Sequence, residues 1–259
     1  MKTTHSADGT AIALDQAGQG APIIMVVGAF NTRSVTAPLA AALSHRFTTF
    51  NYDRRGRGDS GDTQPYAVER EIEDIDALIA EAGGSAAVFG YSSGGTLALK
   101  AAGHGLSISQ LVLYDTPFVV DEDHEPLPAD FADQLAELIA GGRRGDAVEL
   151  FQRIAVGIPQ PVIEKMRHAP FRPALEAMAH TLVYEALLIG DRTLPTDLVS
   201  SITAPTLVID GEESPPIMRG AARALAATMP HATRRTLAGQ GHDIAPEPTA
   251  AAIAAFLTS

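Results

Sequence analysis

Short runs rich in apolar residues alternate along this chain with longer segments whose apolar residues recur every three or four positions. The runs 22–27, 85–89, 108–114 and 206–209 have the length of strands buried on both faces, while 11–15, 47–52 and 233–237 are mixed runs of strand length. Helical spacing occupies 37–43, 66–82, 93–104, 217–229 and 249–257. In 66–82, Val68, Ile72, Ile75, Leu78 and Ile79 share one side, and Glu69, Arg70, Glu73, Asp74 and Asp76 lie elsewhere. Strand and helix in alternation predict an α/β fold with a mostly parallel central sheet and helices on both faces. From 118 to 201 the strand rhythm stops, and helices over 130–140, 145–156, 161–168 and 173–190 are broken by Pro and Gly. The expectation is a core of 1–117 and 202–259, with 118–201 as a helical cap over a ligand crevice at the strand ends.

Composition narrows the partners. The 259 residues are 46% hydrophobic, enough for one large core. A net charge of −12 argues against nucleic acid and anionic membranes, which are bound through clustered Lys and Arg. Arg54, Arg55 and Arg57 form the one notable basic cluster. With no cysteine, there is no thiolate nucleophile, disulfide or Cys-ligated zinc, so a nucleophile is sought among Ser, Thr, Asp and Lys. No apolar run has membrane-spanning length and residues 1–8 lack a signal-peptide core, so a cytoplasmic location is the default expectation. A small-molecule substrate is expected, with no cofactor and no metal; oligomeric state is not readable.

The candidate chemistry starts at Gly90-Tyr91-Ser92-Ser93-Gly94, which lies between the run 85–89 and the helix 93–104. A serine on such a tight strand-to-helix turn presents its hydroxyl, needs small neighbours, and has the helix N-terminal amides beside it. The GxSxG string alone is only a hypothesis. A serine needs a general base, and Gly239-Gln240-Gly241-His242-Asp243 supplies one in a glycine-rich loop between the last strand and the last helix. Chain order, serine before acid before histidine, favours His242. His45, His104, His168, His180 and His231 lie on helices or near their ends, and His5 and His124 stand in polar surroundings.

These motifs, together with two more, resemble the α/β-hydrolase superfamily over nearly the whole chain. Val26-Val27-Gly28-Ala29-Phe30 resembles the turn after the family's third strand, and Tyr52-Asp53-Arg54-Arg55-Gly56-Arg57-Gly58-Asp59-Ser60 the turn after its fourth. The resemblance implies Ser92 as nucleophile, His242 as base, and the Ala29 and Ser93 amides as an oxyanion hole. Val27 replaces the family's frequent histidine before the glycine, which leaves a backbone donor unaffected. The usual acid follows the seventh strand in a Gly-x-x-Asp loop, but here that loop reads Gly211-Glu212-Glu213-Ser214. Some members carry the acid after the sixth strand, and here that position is Asp115, in Tyr114-Asp115-Thr116-Pro117. Asp115 is favoured, Glu213 is the alternative, and Asp210 and Asp243 stand behind them; Asp115 as a simple turn cap before Pro117 is the plain reading.

Weaker signals are set aside. Gly56-Arg57-Gly58-Asp59-Ser60-Gly61 matches GxGxxG, but Pro65 and a polar loop follow where a phosphate-binding helix should begin. Asp121-Glu122-Asp123-His124-Glu125 reads as a solvated loop rather than a metal site. Met166, Met178, Leu182, Val183, Leu187 and Leu188 read as packing, with a few lining an apolar pocket. The expected function is a cofactor-independent serine hydrolase of an ester, thioester or lactone with an apolar portion, acting through an acyl-enzyme. A lyase or cofactor-free oxygenase on the same Ser and His, or a non-catalytic ligand-binding homologue, is the alternative.

Overall fold

A computed structural model describes residues 1–120 and 126–259. The first half runs β1 (Lys2–His5), β2 (Ala11–Ala17), β3 (Pro22–Val26), α1 (Ala37–Leu43), β4 (Thr48–Tyr52), α2 (Val68–Glu81), β5 (Ala86–Tyr91), α3 (Ser93–Gly103) and β6 (Ile108–Tyr114). A helical insertion follows: α4 (Phe131–Ala140), α5 (Arg144–Phe151), a π-helical turn (Gln152–Val156), α6 (Gln160–Met166), α7 (Arg172–Ala177), α8 (Thr181–Ile189) and α9 (Thr196–Ser201). The chain then returns to the sheet with β7 (Thr206–Gly211), α10 (Pro216–Thr228), β8 (Ala232–Leu237) and α11 (Pro246–Leu257).

The eight strands form one sheet in the order β1-β2-β4-β3-β5-β6-β7-β8. β2 is antiparallel to β1 and to β4, and every other pairing is parallel. The inner strands are largely buried on both faces, which is why they read as mostly apolar runs, with the exposed Ser109 and half-buried Gln110 near the start of β6 as exceptions. On one face α2 packs through Ile72, Ile75, Leu78 and Ile79, together with α3 and α10; on the other, Leu39 and Leu43 of α1 meet Ile253 of α11. The edge strand β8 exposes Arg234 and Arg235, charges that discourage further strand pairing. Among the described residues no helix is long and apolar enough to cross a membrane.

Four elements depart from expectation. β1 is polar throughout and is a strand because β2 offers it a free edge. The expected helix 173–190 breaks at Met178-Ala179-His180 into α7 and α8, and 145–156 changes from α to π geometry after Phe151. α9 was unexpected, and among the described residues the insertion's one β-bridge joins Val119 to Thr193. The acidic stretch Asp121-Glu122-Asp123-His124-Glu125 lies outside the described residues.

Candidate active site

Ser92 occupies the turn between β5 and α3 at φ 55° and ψ −128°, a backbone conformation costly for any residue but glycine. Its N–H donates to Tyr114 O at 2.9 Å and its carbonyl accepts from the Gly95 N–H at 2.8 Å. The turn tolerates no side chain on either side: a Cβ at Gly90 would lie 2.6 Å from Gly95 Cα, and one at Gly94 would lie 2.3 Å from Val26 O. Ser93 opens α3, so its N–H belongs to the first turn, where amides have no intrahelical acceptor.

Asp115 follows β6, also at positive φ (49°), and its N–H donates to Ile209 O of the neighbouring strand at 3.0 Å. The side chain is buried. Its Oδ2 accepts from His242 Nδ1 at 3.0 Å and from Ser214 Oγ at 2.6 Å, and Ser214 Oγ in turn accepts the Gly211 N–H at 3.0 Å. Oδ1 has no hydrogen-bond partner among the described residues. The loop carrying His242 is tied down by the Tyr114 hydroxyl, which donates to Gly241 O at 2.9 Å, and by the Glu213 N–H, which donates to Gln240 O at 2.7 Å. Tyr91 packs beside the imidazole with ring centroids 5.1 Å apart.

The other carboxylates considered for His242 stand elsewhere. Glu213 and Asp243 are exposed. Asp210 is buried but committed to Arg234 at 2.6 Å and the Thr236 hydroxyl at 2.9 Å. Ser214 emerges as the site residue whose part the sequence reading did not see. The signal was its position, where the family's carboxylate usually stands.

The turn after β3 differs from expectation in one respect. The Ala29 N–H, expected as a free oxyanion donor, donates to Ser93 Oγ at 2.9 Å. An oxyanion at this amide would compete with that hydroxyl. Phe30 follows at φ 61° and meets Phe151 of the insertion edge-on, with ring centroids 5.4 Å apart.

Beneath this turn lies the basic cluster. Arg54 Nε and Nη2 donate to Glu71 at 2.6 and 2.7 Å, and Nη1 donates to Glu185 of α8 at 2.5 Å and to Val27 O at 3.2 Å. Arg57 also pairs with Glu185, and its Nη1 donates to Gly28 O at 2.7 Å. Burial by itself would raise the Glu185 carboxyl, but the Arg54 and Arg57 charges and the neighbouring Ser93 hydroxyl outweigh it and hold the group below its usual range. Arg55 is likewise internal, on Asp74 at 2.7 Å and Asp8 at 2.9 Å. The cluster therefore braces the fold from within. The GxGxxG string wraps Asp53, whose Oδ2 accepts the Asp59 N–H at 2.9 Å and leaves no room for a Cβ at Gly58.

Ser92 and His242 line one cavity of about 400 Å³, with Ala29, Phe30, Tyr91 and Ser93. Its insertion wall comes from Phe151, the π-helical turn, Ile189 and Arg192. Of Met166, Met178, Leu182, Val183, Leu187 and Leu188, read mostly as packing, none lines this cavity; Leu182 and Leu188 turn into the core and Leu187 is exposed. Among the described residues no three or more His, Asp or Glu side chains converge as a metal site would. His104 Nδ1 donates to Lys100 O at 2.9 Å, and His180 Nε2 lies 3.8 Å from Asp62.

Comparison with known proteins agrees with this architecture. The model of a family described as "Alpha/beta hydrolase family" matches residues 23–256. A solved alpha/beta hydrolase from Sphaerobacter thermophilus superposes with a TM-score of 0.93 and 49% identity, covering 99% of this chain and 100% of that one. A thermophilic esterase from Thermogutta terrifontis, solved with malate bound, gives 0.75 and 25% over 99% and 97% of the two chains. The 2-(acetamidomethylene)succinate hydrolase of Mesorhizobium japonicum is 26% identical over 254 residues, 93% of this chain and 89% of that protein.

Proposed function

The chain belongs to the alpha/beta hydrolase family and is a hydrolase; from that premise we propose that it cleaves an ester, thioester or lactone of a small, partly apolar substrate through an acyl-enzyme on Ser92. Ser92 Oγ attacks the substrate carbonyl while His242 Nε2 accepts its proton. Asp115, on the other ring nitrogen, holds the imidazole in the tautomer that leaves Nε2 basic and stabilises the imidazolium that forms. The Ser93 amide and the Ala29 amide, once released by Ser93 Oγ, donate to the oxyanion. His242 then gives its proton to the departing alcohol, thiol or ring oxygen. In the second half, water surrenders a proton to His242 and attacks the acyl carbon, and Ser92 recovers its proton as the acid leaves.

The observation that carries this reading is the hydrogen bond from His242 Nδ1 to the buried Asp115 carboxylate, on a histidine that shares a cavity with a serine at positive φ. The names hydrolase and esterase among the similar proteins support hydrolysis as the reaction class. A serine-reactive fluorophosphonate tests it. The folded protein is expected to be labelled once, at Ser92, and Ser92→Ala to escape labelling and lose on the order of 10⁶-fold in kcat on a 4-nitrophenyl ester. A folded protein that resists the reagent would overturn the reading.

A further inference from the structure

The cavity beside Ser92 is walled largely by apolar side chains, among them Phe30, Phe151, Ile154, Ile217 and Met218. Arg192 is its one guanidinium, and no carboxylate lines it among the described residues. The position of this cation is enforced rather than incidental. Its backbone sits at φ 67°, its N–H donates to Ile189 O at 2.9 Å and its carbonyl accepts the Val119 N–H at 2.8 Å. The side chain is steered by the π-helical turn, where Ala155 O accepts from Nη1 at 2.9 Å, and Nε has no acceptor among the described residues. Burial is the one influence on its acidity and pulls it below the ordinary guanidinium value.

The contrast with the other buried arginines is direct. Arg54, Arg55, Arg57 and Arg172 each have at least one carboxylate partner, whereas Arg192 has none among the described residues. A guanidinium stays charged at any working pH, and a half-buried charge without a counter-ion is costly unless a ligand supplies one. On a chain of net charge −12, it is also a local exception to the field an anion would meet. A single guanidinium in a largely apolar cavity matches one planar monoanion, and among the described residues no second Lys or Arg lines it to balance a phosphate dianion.

We propose that Arg192 is the specificity residue of this cavity and that the substrate carries a carboxylate, held by Arg192, on an apolar arm of the acyl or leaving group. The proposal rests on the hydrolase reading above for the position of the scissile bond. It is tested with two esters of equal chain length, 4-nitrophenyl hydrogen glutarate and 4-nitrophenyl pentanoate, on the intact protein. Arg192→Met is expected to lower kcat/KM for the glutarate ester by roughly 30-fold, mostly through KM, and to change the pentanoate ester less than about 3-fold; Arg192→Lys should fall between. Equal losses on both esters would assign Arg192 to packing and overturn the proposal, as would an unchanged glutarate rate. Calorimetric binding of glutarate to Ser92→Ala separates this from the reaction class. If the native protein cleaves neither ester, the hydrolysis reading of these esters fails, while glutarate binding still decides Arg192. Binding to Ser92→Ala that disappears in Ser92→Ala/Arg192→Met supports the proposal, and absence of binding, or binding equal in the two, overturns it.

Discussion

Two buried carboxylates lie close to the same turn and live in opposite surroundings. Glu185 reaches down from α8 into two guanidinium groups, Arg54 and Arg57, which also grip the Val27 and Gly28 carbonyls. Asp115 rises from the end of β6 with no full cation beside it, only the Ser214 hydroxyl and the Nδ1–H of a partly exposed histidine. A carboxylate held through one oxygen between two fixed charges is committed to the fold, even with its other oxygen unpartnered among the described residues. One that accepts from an imidazole N–H fixes which ring nitrogen faces away from it, which is what orienting a base requires. Opposite compensation therefore fits opposite work, bracing for Glu185 and, in the reading proposed above, orienting the base for Asp115.

The sharpest way to break this comparison is to remove each charge in place. Asp115→Asn is expected to lower kcat on a 4-nitrophenyl ester by about 10⁴-fold while the melting temperature stays within a few degrees. Glu213→Gln and Asp210→Asn should leave kcat within about 2-fold; a large loss in either would move the acid. Glu185→Gln should do the reverse in stability, costing about 3–5 kcal/mol in denaturant unfolding because Arg57 loses its one carboxylate among the described residues and Arg54 is left with Glu71 alone. Ser214→Ala removes one hydrogen bond to the Asp115 carboxylate and should lower kcat about 10-fold without altering labelling of Ser92. The smallest effect is in the shape of a pH curve. The Glu185 carboxyl is held below its unfolded value, so its contribution to stability is complete above about pH 4.5 and is lost as pH falls through the lower folded value. Acid unfolding monitored by circular dichroism should therefore be less steep in Glu185→Gln than in the native protein.

Much of the fold was legible because it is written locally. Inner strands with both faces buried must be apolar throughout, and α2 must show its Ile72-Ile75-Leu78-Ile79 stripe. The turn around Ser92 was legible for the same reason, since its glycines answer to steric contacts only a few ångströms away. What escaped depended on distant partners. β1 has no apolar pattern and is a strand only through β2. The Asp115–Ser214 bond joins residues 99 apart in sequence, whereas the Asp115–His242 pairing, across 127 residues, was expected from the strand-end position of Asp115. The capture of the Ala29 amide by Ser93, 64 positions away, has no local signature either. Arg192 carried one faint sign, a lone cation just after Gly190 in an apolar helical stretch. Nothing in that stretch announces the π-helical turn that aims it.

The short bond between Asp115 and Ser214 also has a bearing on ancestry. The two positions terminate adjacent strands and meet at one oxygen, so a chain with aspartate at both would share a single proton between them and still present a charged acid to the imidazole. An orienting carboxylate can thus pass from one strand to the next in two single substitutions, through a doubly acidic intermediate that never lacks it. Lineages on either side of that step would keep the same nucleophile and base while differing in which strand completes the set.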